Sequence, residues 1–169
     1  MHLRPIGPPD LSAVLDLNAA EVPKVGPLDA DGLARLVAIC DLALLAEDGD
    51  GLLGMVLALA PGADYGSANY GFFERRGTDH FYVDRIAVTA RARRQGIASA
   101  LYDAVEQRAG ETGRGEVTCE VNVVPRNDGS LRFHAARGFV EVGQQGVGNH
   151  RVSLLAKPLL RPNGPWQSS

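Results

Sequence analysis

A basic turn with one glycine precedes an apolar helix at residues 93–99, which read Arg-Arg-Gln-Gly-Ile-Ala-Ser. The first N–H groups of a helix have no partners within the helix, and the helix dipole places positive charge there. Gly96 has no Cβ that could hold a ligand away from the backbone, and Arg91, Arg93 and Arg94 add positive charge. These residues favour an anion site that suits a pyrophosphate. A solvated basic turn without a ligand is the alternative.

The turn departs from two common phosphate-binding motifs. It lacks the Gly-x-x-x-x-Gly-Lys pattern of a P-loop. It also has only one of the three glycines that mark a dinucleotide-binding turn. A nucleotide-binding module is therefore the least favoured interpretation.

Two acidic residues are candidates for a general base. Glu120 and Asn122 alternate along a predicted strand at 117–123, so both side chains point to one face, where Asn122 is expected to contact a substrate. A carboxylate on a central strand needs solvent, a partner or a bound amine. Asp84, on the preceding strand, is the second candidate. The structural alternatives are an ion pair of Glu120 with Arg85 and a salt bridge from the Asp84-Arg85 pair on the sheet to a helix.

Three polar residues share one face of a predicted helix at 127–137, because Asn127, Ser130 and His134 lie at i, i+3 and i+7. A histidine can donate a proton, although a pKa near ~6.5 leaves it mostly neutral at pH 7. His134 is therefore either a proton donor or a packing residue. Asn127 has the alternative of capping the helix.

A polar and aromatic segment spans residues 61–80, which we expect to form a long loop. Loops of this composition over a rigid scaffold commonly hold substrates. The candidates for an acceptor pocket are Tyr65, Asn69, Tyr70 and Phe73. As the alternative, Phe72 and Phe73 attach the loop to the core.

Composition limits the class of protein. The chain has 169 residues, of which 45% are hydrophobic and 22% charged, so we expect one domain over 1–160 and a flexible tail at 161–169. A net charge of −3 argues against a broad nucleic-acid surface. The two cysteines fit no disulfide or metal pattern, and the N-terminus lacks an apolar signal core. We expect a cytoplasmic protein without metal, nucleic-acid or membrane partners, and the sequence leaves a homodimer open.

Hydrophobic periodicity predicts the element order β-α-α-β-β-β-α-β-α-β-β. Glycines, prolines and acidic turns separate the apolar runs, and Glu-Asp-Gly-Asp-Gly at 47–51 marks a hairpin. Strands interspersed with helices predict a mixed sheet covered by helices, in the α/β or α+β class.

Two motifs carry a family resemblance. Arg-Arg-Gln-Gly-Ile-Ala follows a strand that ends Ile-Ala-Val and fits the pattern Arg/Gln-x-x-Gly-x-Gly/Ala, and Asn-Asp-Gly-Ser-Leu-Arg-Phe-His-Ala-Ala-Arg-Gly-Phe follows the next strand. Over residues 81–139 the combination resembles the GNAT superfamily of acyl-CoA-dependent N-acyltransferases. The runs Asn-Tyr-Gly-Phe-Phe and Cys-Glu-Val-Asn are similar to a bacterial branch of predicted acetyltransferases. The resemblance implies a largely antiparallel sheet of six to seven strands flanked by about four helices.

The resemblance also implies a role for coenzyme A. In this family the N–H groups of residues 94–99 would hold the pyrophosphate, and residues 86–88 would pair with the pantetheine arm. The position of His134 is often a tyrosine that protonates the CoA thiolate, so the histidine departs from the pattern. The implied CoA contacts are Ile86, Ala87, Val88, Arg93, Arg94, Gln95, Gly96, Ile97, Ala98, Ser99, Asn127, Ser130 and His134.

The expected function is N-acetyl transfer from acetyl-CoA, as co-substrate, to a primary amine. The amine attacks the thioester directly in a ternary complex, with Glu120 or Asp84 as base and His134 as acid. Two alternatives remain open at this stage. One is an acyltransferase for a longer acyl-CoA, and the other is a CoA-binding regulatory domain without catalysis.

Overall fold

The computed structural model describes residues 1–77 and 79–160. Thr78, within the segment expected to be a loop, and the predicted tail at 161–169 lie outside the described residues.

Seven strands form one sheet in the order β1-β2-β3-β4-β5-β7-β6. Every neighbouring pair is antiparallel except β4 and β5, which run parallel. The largely antiparallel mixed sheet predicted from the sequence is thus confirmed. The strands are β1 His2–Pro5, β2 Leu42–Asp48, β3 Gly51–Leu59, β4 His80–Val88, β5 Glu116–Val124, β6 Val140–Val147 and β7 His150–Pro158.

Helices cover both faces of the sheet. On one face, α4 packs on a cluster that includes Phe81, Val83 and Val117, and on the other, α1, α2 and α3 pack on a cluster that includes Met55, Leu57 and Tyr82. The helices are α1 Leu11–Ala20, α2 Ala30–Ile39, α3 Ala68–Arg76, α4 Ile97–Glu111 and α5 Asp128–Ala136, with 3-10 turns at Pro8–Asp10 and Ala90–Ala92.

The prediction of a long loop at 61–80 was wrong, because α3 occupies its middle. Ser67 caps this helix by accepting a hydrogen bond from the backbone N–H of Tyr70, and Gly77 ends it with a φ of 71°. A serine cap and a glycine end are ordinary helix signals. The polar and aromatic composition between them obscured the pattern, which explains why the structure has one more helix than expected.

The two parallel strands diverge after a short contact. They pair at three positions, from His80 with Glu116 to Tyr82 with Thr118, and the pairing ends there. Asp84 has no partner in β3, since Leu57 pairs with Arg85 and Ala58 with Val83. This bulge bends β4 away from β5. A wedge therefore opens between the strands at the centre of the sheet.

Candidate active site

A cavity of about 660 Å³ fills the wedge between β4 and β5. Residues 83–88 and 119–122 form its strand walls, and residues 21–27, between α1 and α2, also line it. The other lining residues are Tyr65, Ser67, Asn69, Arg93, Ala98, Tyr102, Asn127, Gly129, Ser130, Phe133, His134, His150 and Val152. One cavity thus joins the basic turn, the acidic residues and the predicted helix face.

The turn before α4 presents unpaired backbone donors. Arg94 and Gly96 have positive φ angles of 61° and 79°, and the first backbone bond of the helix runs from Ala100 N to the Gly96 carbonyl. Within the described chain, the N–H groups of residues 94–99 donate to no protein acceptor. A Cβ at Gly96 would meet nothing within 4 Å, so the protein itself needs glycine there for its φ rather than for space.

The arginines around the turn have different partners. Arg91 is bonded to Asp48 at 2.9 Å, whereas Arg93 lines the cavity and pairs with Glu21 at the end of α1. Gln95 donates to the Arg91 carbonyl at 2.8 Å. Ile97 is buried in the core, so only its backbone can serve a ligand. Of the predicted CoA contacts, those that line the cavity are Ile86, Ala87, Val88, Arg93, Ala98, Asn127, Ser130 and His134, whereas Arg94, Gln95, Gly96, Ile97 and Ser99 lie in the adjoining turn.

Glu120 lines the cavity with an unusual protonation equilibrium. The Tyr82 hydroxyl donates to its Oε2 at 2.6 Å, and the nearby Asn69 side chain also acts to lower the pKa of the carboxyl group. Burial, and then the negative charge of Asp84, raise the pKa of Glu120 to about 8. A carboxylate that titrates near neutral pH can accept a proton from a bound amine.

Asp84 is held by its neighbours instead of facing the cavity freely. Its carboxylate accepts from the Tyr65 hydroxyl at 2.6 Å and from Arg85 Nε at 2.7 Å, and its side chain is 4% exposed. Arg85 also donates to Asn18 Oδ1 and to the Gly26 carbonyl. Asp84 and Arg85 thus pair with each other within β4, and Arg85 reaches a helix only at the uncharged Asn18, so the expected salt bridge from the sheet to a helix was wrong. The alternative pairing of Glu120 with Arg85 was also wrong.

The predicted acceptor residues divide into two groups. Tyr65, Asn69 and Asn122 line the cavity, and Asn122 Nδ2 donates to the Pro23 carbonyl at 3.0 Å. The expectation that Tyr70 and Phe73 line it was wrong, because α3 turns both rings into the core. The Tyr70 hydroxyl instead donates to the Ala60 carbonyl at 2.7 Å.

His134 uses both ring nitrogens within the protein. Its Nδ1 lies 2.7 Å from the Ser130 carbonyl, which can only accept, so Nδ1 carries the proton. Its Nε2 then accepts from the Tyr102 hydroxyl at 2.7 Å. Burial lowers the pKa of His134, so the ring is neutral. The edge-to-face packing on Phe133 and Phe139 fits the structural alternative, while the ring still lines the cavity.

Asn127 has both of the roles predicted for it. Its Oδ1 accepts from the Ser130 N–H at 3.3 Å as a helix cap, and the residue also lines the cavity.

The sequence did not identify residues 21–27, Tyr82 or Tyr102 as part of the site. The prolines at 23 and 27 indicated only that residues 21–27 form a break between two helices. Both tyrosines resemble core residues, and only their hydroxyl partners distinguish them.

Within residues 1–77 and 79–160, no group of three histidine, cysteine or acidic residues could hold a metal ion. No helix in this part of the chain is long and apolar enough to cross a membrane.

Solved structures with the same fold are numerous. Ard1 from Thermoplasma volcanium has a TM-score of 0.76 at 18% identity, over 95% of this chain and 98% of that chain. The ribosomal-protein-S18-alanine N-acetyltransferase from Escherichia coli has a TM-score of 0.71 at 14% identity, over 97% and 96%. The NatC complex bound to Gag peptide and CoA includes a chain with a TM-score of 0.75 at 15% identity, over 94% and 98%. At these identities the likeness concerns the fold.

None of the curated protein sequences matches the chain significantly. The model of the acetyltransferase (GNAT) family matches residues 25–139, which contain the turn, the acidic residues and the helix of His134. This match covers more than half of the chain, and the sheet and the wedge between β4 and β5 agree with it. The chain therefore belongs to the GNAT acetyltransferase family.

Proposed function

We propose that the protein transfers an acetyl group from acetyl-CoA to a primary amine by direct attack in a ternary complex. One observation carries the proposal. A single cavity connects the unpaired N–H groups at the start of α4 with Glu120, a carboxylate that titrates near neutral pH. The first feature suits a pyrophosphate and the second suits an amine that must lose a proton.

The cofactor end of the cavity offers backbone groups. Beyond Tyr82, β4 no longer pairs with β5, so the edge of residues 83–88 that faces the cavity has hydrogen-bonding groups to share. An extended arm with amides, such as pantetheine, can add to a strand edge as another strand does. The pyrophosphate would then lie at residues 94–99. This arrangement supports acetyl-CoA as the co-substrate, and no metal is needed for it.

The acceptor end supplies the proton chemistry. The attacking amine must be neutral, and Glu120 accepts its proton directly or through a water molecule. Asp84 is the reserve base, but its bonds to Tyr65 and Arg85 make it the poorer one. The leaving thiolate needs a proton, but the single N–H of neutral His134 is donated to the Ser130 carbonyl, so His134 is not the acid expected from the sequence. The Tyr102 hydroxyl, held by Nε2 of His134, turns to the sulfur and supplies the proton instead. Holding both reactants in one cavity contributes much of the rate.

The test is an assay of thiol release from acetyl-CoA with a panel of amines. The panel includes peptides with free N-termini, lysine peptides and small amines, and mass spectrometry locates the acetyl group. Longer acyl-CoA donors run in parallel. Release with at least one amine, lost in Glu120→Gln, supports the proposal. Tight CoA binding without release from any donor would instead support a regulatory domain without catalysis.

Three further expectations accompany this function. Cys40 and Cys119 are free thiols, which favours a cytoplasmic location. A single domain over 1–160 and a homodimer stay predictions. Size-exclusion chromatography with light scattering would test the homodimer.

A further inference from the structure

The segment between α1 and α2 lines the cavity without being part of the core. Residues 21–27, hereafter the strap, all contribute to the cavity wall, and none of them is buried. Within the strap, the Val25 N–H donates to the Glu21 carbonyl at 3.2 Å. Because apolar burial does not hold the strap, its position at the cavity depends on polar contacts from other elements.

Two backbone carbonyls of the strap accept hydrogen bonds from buried side chains. The Gly26 carbonyl accepts from Arg85 Nη1 at 3.0 Å and from Asn18 Nδ2 at 3.1 Å. The Pro23 carbonyl accepts from Asn122 Nδ2 at 3.0 Å. The three donor residues, hereafter the clasp, are at most 8% exposed. They come from β4, α1 and β5, so three elements hold one short segment.

Arg85 also connects the strap to a second segment of the cavity wall. Its Nη1 donates to Asn18 Oδ1 at 2.7 Å, and its Nε donates to Asp84 at 2.7 Å. Asp84 accepts from the hydroxyl of Tyr65, which lines the cavity from the segment before α3. A guanidinium is planar and directs its donors along fixed lines. The buried ion pair therefore sets the spacing between the strap and Tyr65.

The ion pairs of Glu21 are the other contacts that could hold the strap. Glu21 pairs with Arg93 and with Lys24, and both of these basic side chains are about half exposed. Exposed ion pairs contribute little, whereas a buried polar group that loses its partner costs considerably more. The clasp is therefore the main anchor of the strap.

We propose that the clasp determines which amines the protein accepts, by holding the strap at a fixed distance from Tyr65 and from β5. The inference rests on the proposed function, in which the amine reaches Glu120. Glu120 lies two residues before Asn122 on the same face of β5, so the clasp adjoins the carboxylate that receives the proton. A fixed wall rejects an added methyl group by roughly 10–200-fold, which favours a primary amine on an unbranched carbon.

Two variants loosen the strap with little change in side-chain size. Arg85→Lys keeps a positive charge beside Asp84 but lacks the fork that also reaches the strap. Asn122→Leu removes the donor to the Pro23 carbonyl. The test compares the preferred amine with its analogue that carries a methyl group on the amine-bearing carbon. In both variants the discrimination should fall several-fold, and the KM for the amine should rise while that for acetyl-CoA stays unchanged.

A second readout does not depend on turnover. Trypsin can cleave after Lys24 when the strap detaches locally, and mass spectrometry identifies the fragments. Both variants should be cleaved there faster than the wild type. Arg4→Lys is the matched control, because Arg4 also bridges two side chains, Asp10 and Glu47, but does not line the cavity. It should change neither the cleavage after Lys24 nor the discrimination between the amines.

The two readouts together decide the proposal. Faster cleavage with weaker discrimination supports it. Faster cleavage with unchanged discrimination would overturn it, because the strap would then not select the amine. Unchanged cleavage would also overturn it, whatever the rates, and Asn122→Leu alone decides this point if Arg85→Lys does not fold. Absence of transfer by the wild type to any amine would refute the proposed function and the selection together, whereas the cleavage would still show whether the clasp holds the strap.

Discussion

The Tyr82 hydroxyl donates a 2.6 Å hydrogen bond to Glu120 at the point where β4 and β5 cease to pair. Tyr82 belongs to the last paired position, and Glu120 lies two residues beyond its partner Thr118. The phenol therefore closes the inner end of the wedge and stabilises the carboxylate that faces the cavity. Burial raises the pKa of Tyr82 well above its usual value, so it remains a donor across the working pH range.

Glu120→Gln should lower turnover by roughly 10²–10⁴-fold at neutral pH, the usual contribution of a general base. The activity should recover at higher pH, where the amine loses its proton without help. Steady-state kinetics between pH 6 and 9 with a preferred amine provide the measurement. Glu111→Gln, at the exposed end of α4, is the matched control. Unchanged turnover of Glu120→Gln across this range would make Glu120 structural.

The stability of the fold should reflect the same carboxylate. The pKa of Glu120 rises from 4.5 to about 8 on folding, so the folded state binds a proton that the unfolded state has released between these values. The free energy of unfolding therefore falls as pH increases through this window. Glu120→Gln removes the effect. We expect its melting temperature to exceed that of the wild type at pH 8, with a difference that shrinks toward pH 5.

Gly96→Val should weaken CoA binding strongly, measured by calorimetry. A β-branched residue is strained at a φ of 79°, so the turn that presents the N–H groups would rearrange. Gly113→Val is the matched control, because Gly113 has a φ of 74° and equally open surroundings but follows the other end of α4. It should reduce stability and leave CoA affinity unchanged. Equal losses of affinity in both variants would remove the argument for a phosphate turn, and ATP competing as well as CoA would indicate a general nucleotide site.

Glu21 should compete with the cofactor for Arg93. Their ion pair joins the end of α1 to the turn, and a pyrophosphate would need the same guanidinium. We expect Glu21→Gln to raise CoA affinity a few-fold, in line with the modest strength of exposed pairs, and Arg93→Ala to lower it. Asp48→Asn is the control, because it frees Arg91, which does not line the cavity, and should leave the CoA affinity unchanged. Lower CoA affinity in Glu21→Gln would show that Glu21 supports the site.

Tyr102→Phe and His134→Phe should lower turnover to a similar extent and leave acetyl-CoA binding nearly intact. Each substitution breaks the same 2.7 Å hydrogen bond between buried groups while keeping an aromatic ring. Rapid-quench kinetics compared with binding titrations separate the two effects. If only His134→Phe loses activity, the imidazole acts without Tyr102.

Local signals in the sequence determined most helices and strands. They also determined those features of the site that lie within a single helix or strand. Alternation predicted β5 and placed Glu120 and Asn122 on one face. Gly96 predicted the start of α4, and the capping preference of asparagine predicted the cap at Asn127. These features depend on residues within a few positions of one another, so a single sequence is enough to predict them. The prediction of a loop at 61–80 was wrong because it followed the polar and aromatic composition of the segment. The capping signals at Ser67 and Gly77, which are equally local, indicated a helix.

Tertiary structure alone decided which groups the functional side chains contact. The bulge at Asp84, the divergence of β4 from β5, and the hydroxyl partners Tyr82 and Tyr102 depend on contacts between distant segments. A salt bridge from Asp84 and Arg85 to a helix was expected, whereas the two residues pair with each other and bond the uncharged Tyr65 and Asn18. Protonation follows from such surroundings, because burial and neighbouring charges set a pKa, and neither quantity is encoded in the residue type or its spacing.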